Sequence, residues 1–219
     1  MGGFKIVFAK ELKCFAGADR GMFILYSVIV IVWSALLATR SSESFDSGPL
    51  WLVFFSIVIT ANFSNSIFVS ERTNGSLEIL ITSGLSRNAV LYGKMFFIIT
   101  MSVLFGTVCI IFSLFLDRYI FYNSMPSTGI ESFLLYTSST FLNVAASAYF
   151  SIKLTNQRLL HFVNMFVLGI FVSIYLTLAQ FITMSIYYLI GAMFVSGAGI
   201  CWRAQKLYHS EKIIQSVSI

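Results

Sequence analysis

Long apolar runs separated by short polar segments dominate this chain. A helix rises about 1.5 Å per residue, so about 20 apolar residues cross a hydrocarbon core about 30 Å thick. Four runs approach or reach that length, and the stretch from His161 to Trp202 is about twice as long as one crossing needs. It therefore predicts two helices that turn near Gln180. Six membrane-spanning helices are predicted in all, over residues 22–38, 49–69, 95–116, 132–152, 159–178 and 181–202.

The first twenty residues have the pattern of an amphipathic helix that lies along the membrane surface. Projected at 100° per residue, four large apolar side chains share one face: Phe4, Phe8, Leu12 and Phe15. Lys10 and Lys13 lie on the other side. The pattern predicts an interfacial helix over residues 1–20 with its phenylalanines in the acyl boundary. The alternative is a cytoplasmic extension of the first span, but the sequence Asp19-Arg20-Gly21 favours a break there.

Composition and charge agree with a polytopic membrane protein. Hydrophobic residues make up 58% of the chain and charged residues 11%, whereas a soluble domain has about 25% charged residues. With the N-terminus in the cytoplasm, twelve basic residues flank the spans on the inner side and only Arg40 and Arg118 lie outside. This distribution follows the positive-inside rule and predicts a multi-pass protein of the cytoplasmic (inner) membrane with both termini cytoplasmic. The net charge of +5 does not indicate nucleic-acid binding, because the basic residues form no stripe with exposed aromatics.

The predicted spans contain no pair of groups suited to catalysis. They hold no Asp, Glu, Lys or Arg, with His161 near a membrane boundary as the titratable candidate, and they contain no Ser/His/Asp grouping, no paired carboxylates and no cluster of His and Cys. We therefore expect no enzyme, no catalytic residue, no metal and no cofactor in this chain. Ion-coupled carriers usually need a buried ionisable group, so any transport is expected to be driven from outside the bilayer.

Several amide side chains lie within or beside the predicted spans. Small and amide residues mostly serve helix packing in lipid, and they also line transport pathways. Both interpretations stay open for the four candidates: Asn62, Asn65, Asn143 and Asn164.

The longest cytoplasmic segment, residues 70–94, connects the second and third spans. An Asn-Gly turn signal at residues 74–75 precedes a short amphipathic stretch that Ser76 is placed to cap and that carries Glu78 in its first turn. Ser83-Gly84 interrupts this stretch, and Ser86 is placed to cap a further helix that continues into the third span. Such a segment is suited to contact a soluble partner, although an ordinary interfacial loop would have the same pattern.

This loop resembles the signature loop of type-2 ATP-binding-cassette (ABC) exporter permeases. The resemblance rests on the run Glu71-Arg72-x-x-Gly75-Ser76-Leu77-Glu78-x-Leu80, followed by Ser86-Arg87 and Gly93-Lys94. It covers about 25 residues, and the six-span plan with an N-terminal interfacial helix also fits that family. The residues that it implies for coupling to an ATPase are Glu71, Gly75, Ser76, Leu77, Glu78, Leu80 and Arg87.

The resemblance implies an all-α membrane protein with a single six-span permease domain over residues 1–219. Its expected partners are a separate cytoplasmic ABC ATPase, which would hold ATP and Mg²⁺, a second permease subunit, identical or related, and the lipid bilayer. The chain itself lacks a phosphate loop, because Asn88 stands where G-x-x-x-x-G-K requires glycine. Two alternatives stay open: a haem-exporter-type permease of cytochrome c maturation, and a membrane scaffold that anchors a cytoplasmic partner without transport.

Overall fold

The computed structural model describes residues 2–17, 20–39, 48–69, 84–120, 129–154, 156–181 and 185–208. Within these ranges the chain is all-helical. We number the helices α1 to α7 in chain order: α1 Gly2–Ala16, α2 Arg20–Thr39, α3 Gly48–Ser64 with a π-helical continuation Asn65–Val69, α4 Arg87–Tyr119, α5 Ile130–Ser151, α6 Gln157–Phe181 and α7 Ile186–Leu207.

Four of these helices contain stretches long and apolar enough to cross a membrane, in α3, α4, α6 and α7. The apolar part of α2 is shorter, Ile24–Thr39. The 22-residue α5 is long enough, but hydroxyl and amide side chains occupy about a third of its positions. The all-helical class and a membrane location are thus supported, while two of the six predicted spans rest on the sequence pattern alone.

The interior is built around α5, which packs against α3, α4, α6 and α7. Its side chains are buried along most of its length, including Leu135, Tyr136 and Leu142. Tyr136 donates a hydrogen bond of 2.7 Å to the carbonyl of Ser102 in α4. Gly106 permits this approach, since a Cβ there would overlap the Tyr136 ring. The most polar of the predicted spans is therefore the most enclosed one.

Large apolar side chains on the outer faces of α2, α4 and α6 are exposed, as expected of helices that face lipid. The α6 helix is the least enclosed, with Phe162 and Phe166 both more than 60% exposed. Soluble monomeric proteins rarely expose this much apolar surface, so the fold supports a membrane location.

The predicted N-terminal helix is confirmed, and so is its end before α2, since α1 stops at Ala16 and α2 begins at Arg20. The phenylalanines of this helix also contact the bundle. Phe4 and Phe8 contact Phe96 of α4, at ring-centroid distances of 5.5 and 5.8 Å, and Phe15 contacts Phe63 of α3. The aromatic face of α1 thus packs, half-buried, against rings of α3 and α4. Leu12 is the member of the predicted stripe that stays exposed, at 44%.

The turn between the last two helices lies slightly later than predicted. The α6 helix continues through Gln180 to Phe181, and α7 begins at Ile186. Ser185 caps α7, because its hydroxyl accepts a hydrogen bond from the Tyr187 amide at 3.5 Å. A serine before an apolar run is a helix-start signal, and it marks this boundary in the sequence.

Candidate functional site

The candidate site is the junction where α3 ends and α4 begins, at the two ends of the predicted coupling loop. The predicted contact residues Glu71, Gly75, Ser76, Leu77, Glu78 and Leu80 lie outside the described residues. Arg87 is described, and it lies exposed in the first turn of α4. The geometry of the site is therefore that of the two helix ends that hold the loop.

The loop returns to the bundle through a turn and a helix cap. Gly84 has a φ of +76°, a left-handed conformation that favours glycine. Ser86 is extended, and its hydroxyl accepts a hydrogen bond of 3.3 Å from the Ala89 amide. This cap satisfies one of the amides that a helix start leaves without a backbone partner. The predicted cap at Ser86 is confirmed, whereas the stretch that Ser83-Gly84 was predicted to interrupt lies outside the described residues.

The loop leaves the bundle from a π-helical segment. The last turn of α3 widens into the π-helical segment Asn65–Val69, and the last carbonyls of a helix have no intrahelical partner. Lys94 of α4 reaches this segment: its ammonium group donates to the Ile67 carbonyl at 3.5 Å and lies 6.0 Å from the centre of the Phe68 ring. The lysine thus joins the end of α3 to the second turn of α4.

Lys94 is fully buried, although the sequence pattern placed it in the cytoplasmic flank of a span beginning at residue 95. The α4 helix starts eight residues earlier than that span, because the Ser86 cap begins it outside the apolar run. Asp117, just beyond the other end of the predicted span, is also buried inside α4. Lys94 and Asp117 are therefore buried charged groups of α4, one at each end of the predicted span 95–116, which itself contains no charged residue.

The α1 helix covers this junction. Gly93 lies against Val7, at a distance where a Cβ on the glycine would be 2.9 Å from the valine Cβ. On the other side of the junction, Tyr92 donates a hydrogen bond of 2.9 Å to Gln205 of α7. An open cleft of about 390 Å³ next to this bond is lined by residues 85–88 of the α4 start and by Gln205 and Tyr208. The start of α4 is therefore fixed to α1, α3 and α7.

The four asparagines predicted as pathway candidates occupy two kinds of place. Asn143 donates to Ser56 of α3 at 3.3 Å, and Asn164 donates to Ser147 of α5 at 2.6 Å. Both side chains are buried between helices, as expected for residues that hold a bundle together. Their part in a pathway stays a prediction.

Asn62 and Asn65 lie nearer to the surface, on the side of α3 that faces α6. The Asn65 amide contacts Nε2 of His161, and Asn62 donates to the Val58 carbonyl of its own helix at 2.8 Å. A groove of about 350 Å³ runs beside α3 from Trp33 and Trp51 to Asn62 and His161. This groove is mostly apolar with a polar end, a lining suited to an amphipathic molecule.

Sequence reasoning missed the pairing of Asn65 with His161 and the inward direction of Lys94. Neither has a signal in the order of the residues, because each joins positions that are far apart in the chain. Among the described residues, no three His, Cys, Asp or Glu side chains cluster as metal ligands would, and the three cysteines are free.

Comparisons with protein-family models, with curated proteins and with solved structures found no match for this chain.

Proposed function

We propose that this chain is the membrane permease subunit of an ATP-driven ABC exporter. In this proposal six spans form half of a substrate pathway, and both termini face the cytoplasm. A separate ATPase docks on the loop between α3 and α4. ATP binding and hydrolysis take place on that partner, and this chain supplies the pathway and the contact surface.

The observation that carries the proposal is the position of the Glu-Arg…Gly-Ser-Leu-Glu run. It falls in the connection between α3 and α4, and the start of α4 contacts α1, α3 and α7. A partner that pushes on such a loop displaces packed helices, because close-packed interiors transmit strain. A loop attached to loosely held ends would absorb the same push.

The N-terminal helix and the groove between α3 and α6 give further support. The α1 helix lies against the N-terminal half of α4, where it would receive movement of the loop, and the groove offers an apolar surface with one polar end at Asn62 and His161. A second permease subunit would complete the pathway on the exposed apolar faces.

The first experiment is purification of the tagged chain from its native membrane in mild detergent, followed by mass spectrometry. We expect an ABC ATPase in stoichiometric amount. A different partner, or none, would contradict the exporter proposal and favour the scaffold alternative. Cytochrome c maturation proteins among the co-purified chains would favour the haem-exporter alternative.

The docking residues are tested by the double variant Leu77→Asp with Glu78→Lys. We expect it to remove most of the co-purifying ATPase, because it reverses the charge and polarity of the proposed contact helix. The matched control is Glu131→Lys, the same charge reversal at an exposed position in the first turn of α5. Unchanged ATPase recovery with the double variant would show that the contact lies elsewhere.

A further inference from the structure

The buried Lys94 lies at one point of contact between three helices. Its own helix is α4, its ammonium group lies against the π-helical end of α3, and its neighbour Gly93 is covered by Val7 of α1. None of its surface is exposed. A lysine this close to a helix end usually extends its flexible stem toward water, so its inward direction needs a local cause.

Two features of the α3 end provide that cause. The last carbonyls of a helix have no intrahelical partner, and Lys94 donates to one carbonyl of this last turn, that of Ile67. The C-terminal end of a helix also carries a partial negative charge that favours a cation there. The face of the Phe68 ring adds a further attraction. The ammonium group is thus held by the end of α3 itself.

We propose that Lys94 is a positioning residue that clamps the end of α3 to the start of α4, so that these two helix ends move together. This inference rests on the proposed function, since it is the ATPase that would move the loop. The bond joins residue 67, three positions before the loop segment, to residue 94, two helical turns after the Ser86 cap. Without it, a push on the loop would be absorbed by the widened π turn.

The clamp is tested first on the purified chain, by hydrogen–deuterium exchange of peptides that cover residues 65–69 and 84–90. The variant Lys94→Met keeps the apolar stem and removes the charge. We expect exchange in both peptides to rise about tenfold, while peptides of α5 and α7 keep their native protection. The matched control is Lys153→Met, which makes the same change at an exposed lysine that follows α5 and donates to Tyr149 of that helix. Equal protection in native and Lys94→Met protein would overturn the clamp.

A second variant separates charge from packing. Lys94→Arg keeps a cation and its donors, so we expect it to retain most of the protection at residues 65–69. If Lys94→Met fails to fold, folding with protection in Lys94→Arg supports a clamp made by charge. Loss of protection at this turn in the arginine variant as well would show that only the shape of lysine matters, and would overturn the proposal.

The coupling itself is measured in the complex with the co-purified ATPase. We expect Lys94→Met to keep the ATPase bound but to lose most of the change in ATP hydrolysis that the native permease imposes. A purely structural role would lower assembly and hydrolysis together. Absence of any ATPase from the native preparation would contradict the proposed function, whereas the exchange experiment on the chain alone still decides whether the clamp exists.

Discussion

At the scale of single residues, the interior of this bundle depends on a few amide–hydroxyl pairs between helices. In the pair of Asn164 with Ser147, the amide nitrogen donates at 2.6 Å, whereas Oδ1 of Asn164 has no hydrogen-bond partner among the described residues. Oδ1 of Asn143 is in the same situation. A buried group without a partner costs about 1–3 kcal/mol, more than a typical hydrogen bond contributes. The amide nitrogen of Asn164 therefore stabilises the fold through its hydrogen bond, whereas the buried oxygen of the same side chain destabilises it.

We therefore expect substitutions of Ser147 and of Asn164 to lower the free energy of unfolding by different amounts. Ser147→Ala removes the acceptor and leaves the Asn164 amide unpaired, so we expect it to lower the free energy of unfolding by about 1–2 kcal/mol. Asn164→Leu removes both the bond and the unpaired oxygen, so we expect a loss of less than about 1 kcal/mol. Thermal unfolding in detergent measures both.

The double variant is the control for this pair. Once Asn164 is leucine, Ser147→Ala should cost little, since its partner is already gone. A Ser147→Ala effect that is the same in both backgrounds would show that the hydrogen bond does not contribute to stability.

At the scale of elements, the helices were predictable and their partners were not. Apolar runs located the helices to within a few residues at most ends, because crossing a bilayer imposes both length and composition. The α4 helix begins well before its apolar run, since the Ser86 cap and not the membrane sets its start. The direction of Lys94 and the pairing of Asn65 with His161 depend on the tertiary packing of α3. At the candidate site, the loop and its motif could be predicted from the sequence, whereas the contacts that hold the ends of the loop could not.

The packing of α1 on α4 yields a prediction at this scale. Gly93→Leu would place a side chain where Val7 now lies, and such overpacking costs about 1–3 kcal/mol. We expect α1 to detach more often, so that trypsin cleaves after Lys10 and Lys13 about tenfold faster.

The matched control is Gly191→Leu, at an exposed glycine of α7 where a Cβ would meet nothing within 4 Å. It should leave the cleavage rate unchanged. Equal rates in native and Gly93→Leu protein would mean that the contact with Val7 does not hold α1 in place.

At the scale of the whole molecule, the distribution of charge predicts an orientation in the membrane. The 33-residue α4 is about 50 Å long, so both its ends extend beyond a hydrocarbon core of about 30 Å. Asn88 and Tyr119 lie near its opposite ends, and both side chains are exposed. They can therefore report on which side of the bilayer each end lies.

We predict the cytoplasmic side for Asn88 and the outer side for Tyr119. In a background without Cys14, Cys109 and Cys201, a membrane-impermeant maleimide added to intact cells should label Tyr119→Cys and not Asn88→Cys. After permeabilisation, both should react. The reverse pattern in intact cells would invert the orientation, and labelling of both variants there would show that α4 does not span the membrane.

The enclosure of α5 has a consequence for how the protein is made. The insertion machinery accepts a helix into lipid according to its hydrophobicity, and α5 is rich in hydroxyl and amide groups. Its neighbours α3 and α4 precede it in synthesis, whereas α6 and α7 follow. When α5 is synthesised, α3 and α4 are therefore already present, but α6 and α7 are not. We therefore expect α5 to remain beside α3 and α4 until α6 and α7 are synthesised, and we expect a nascent chain that ends after α5 to be degraded faster than the full chain.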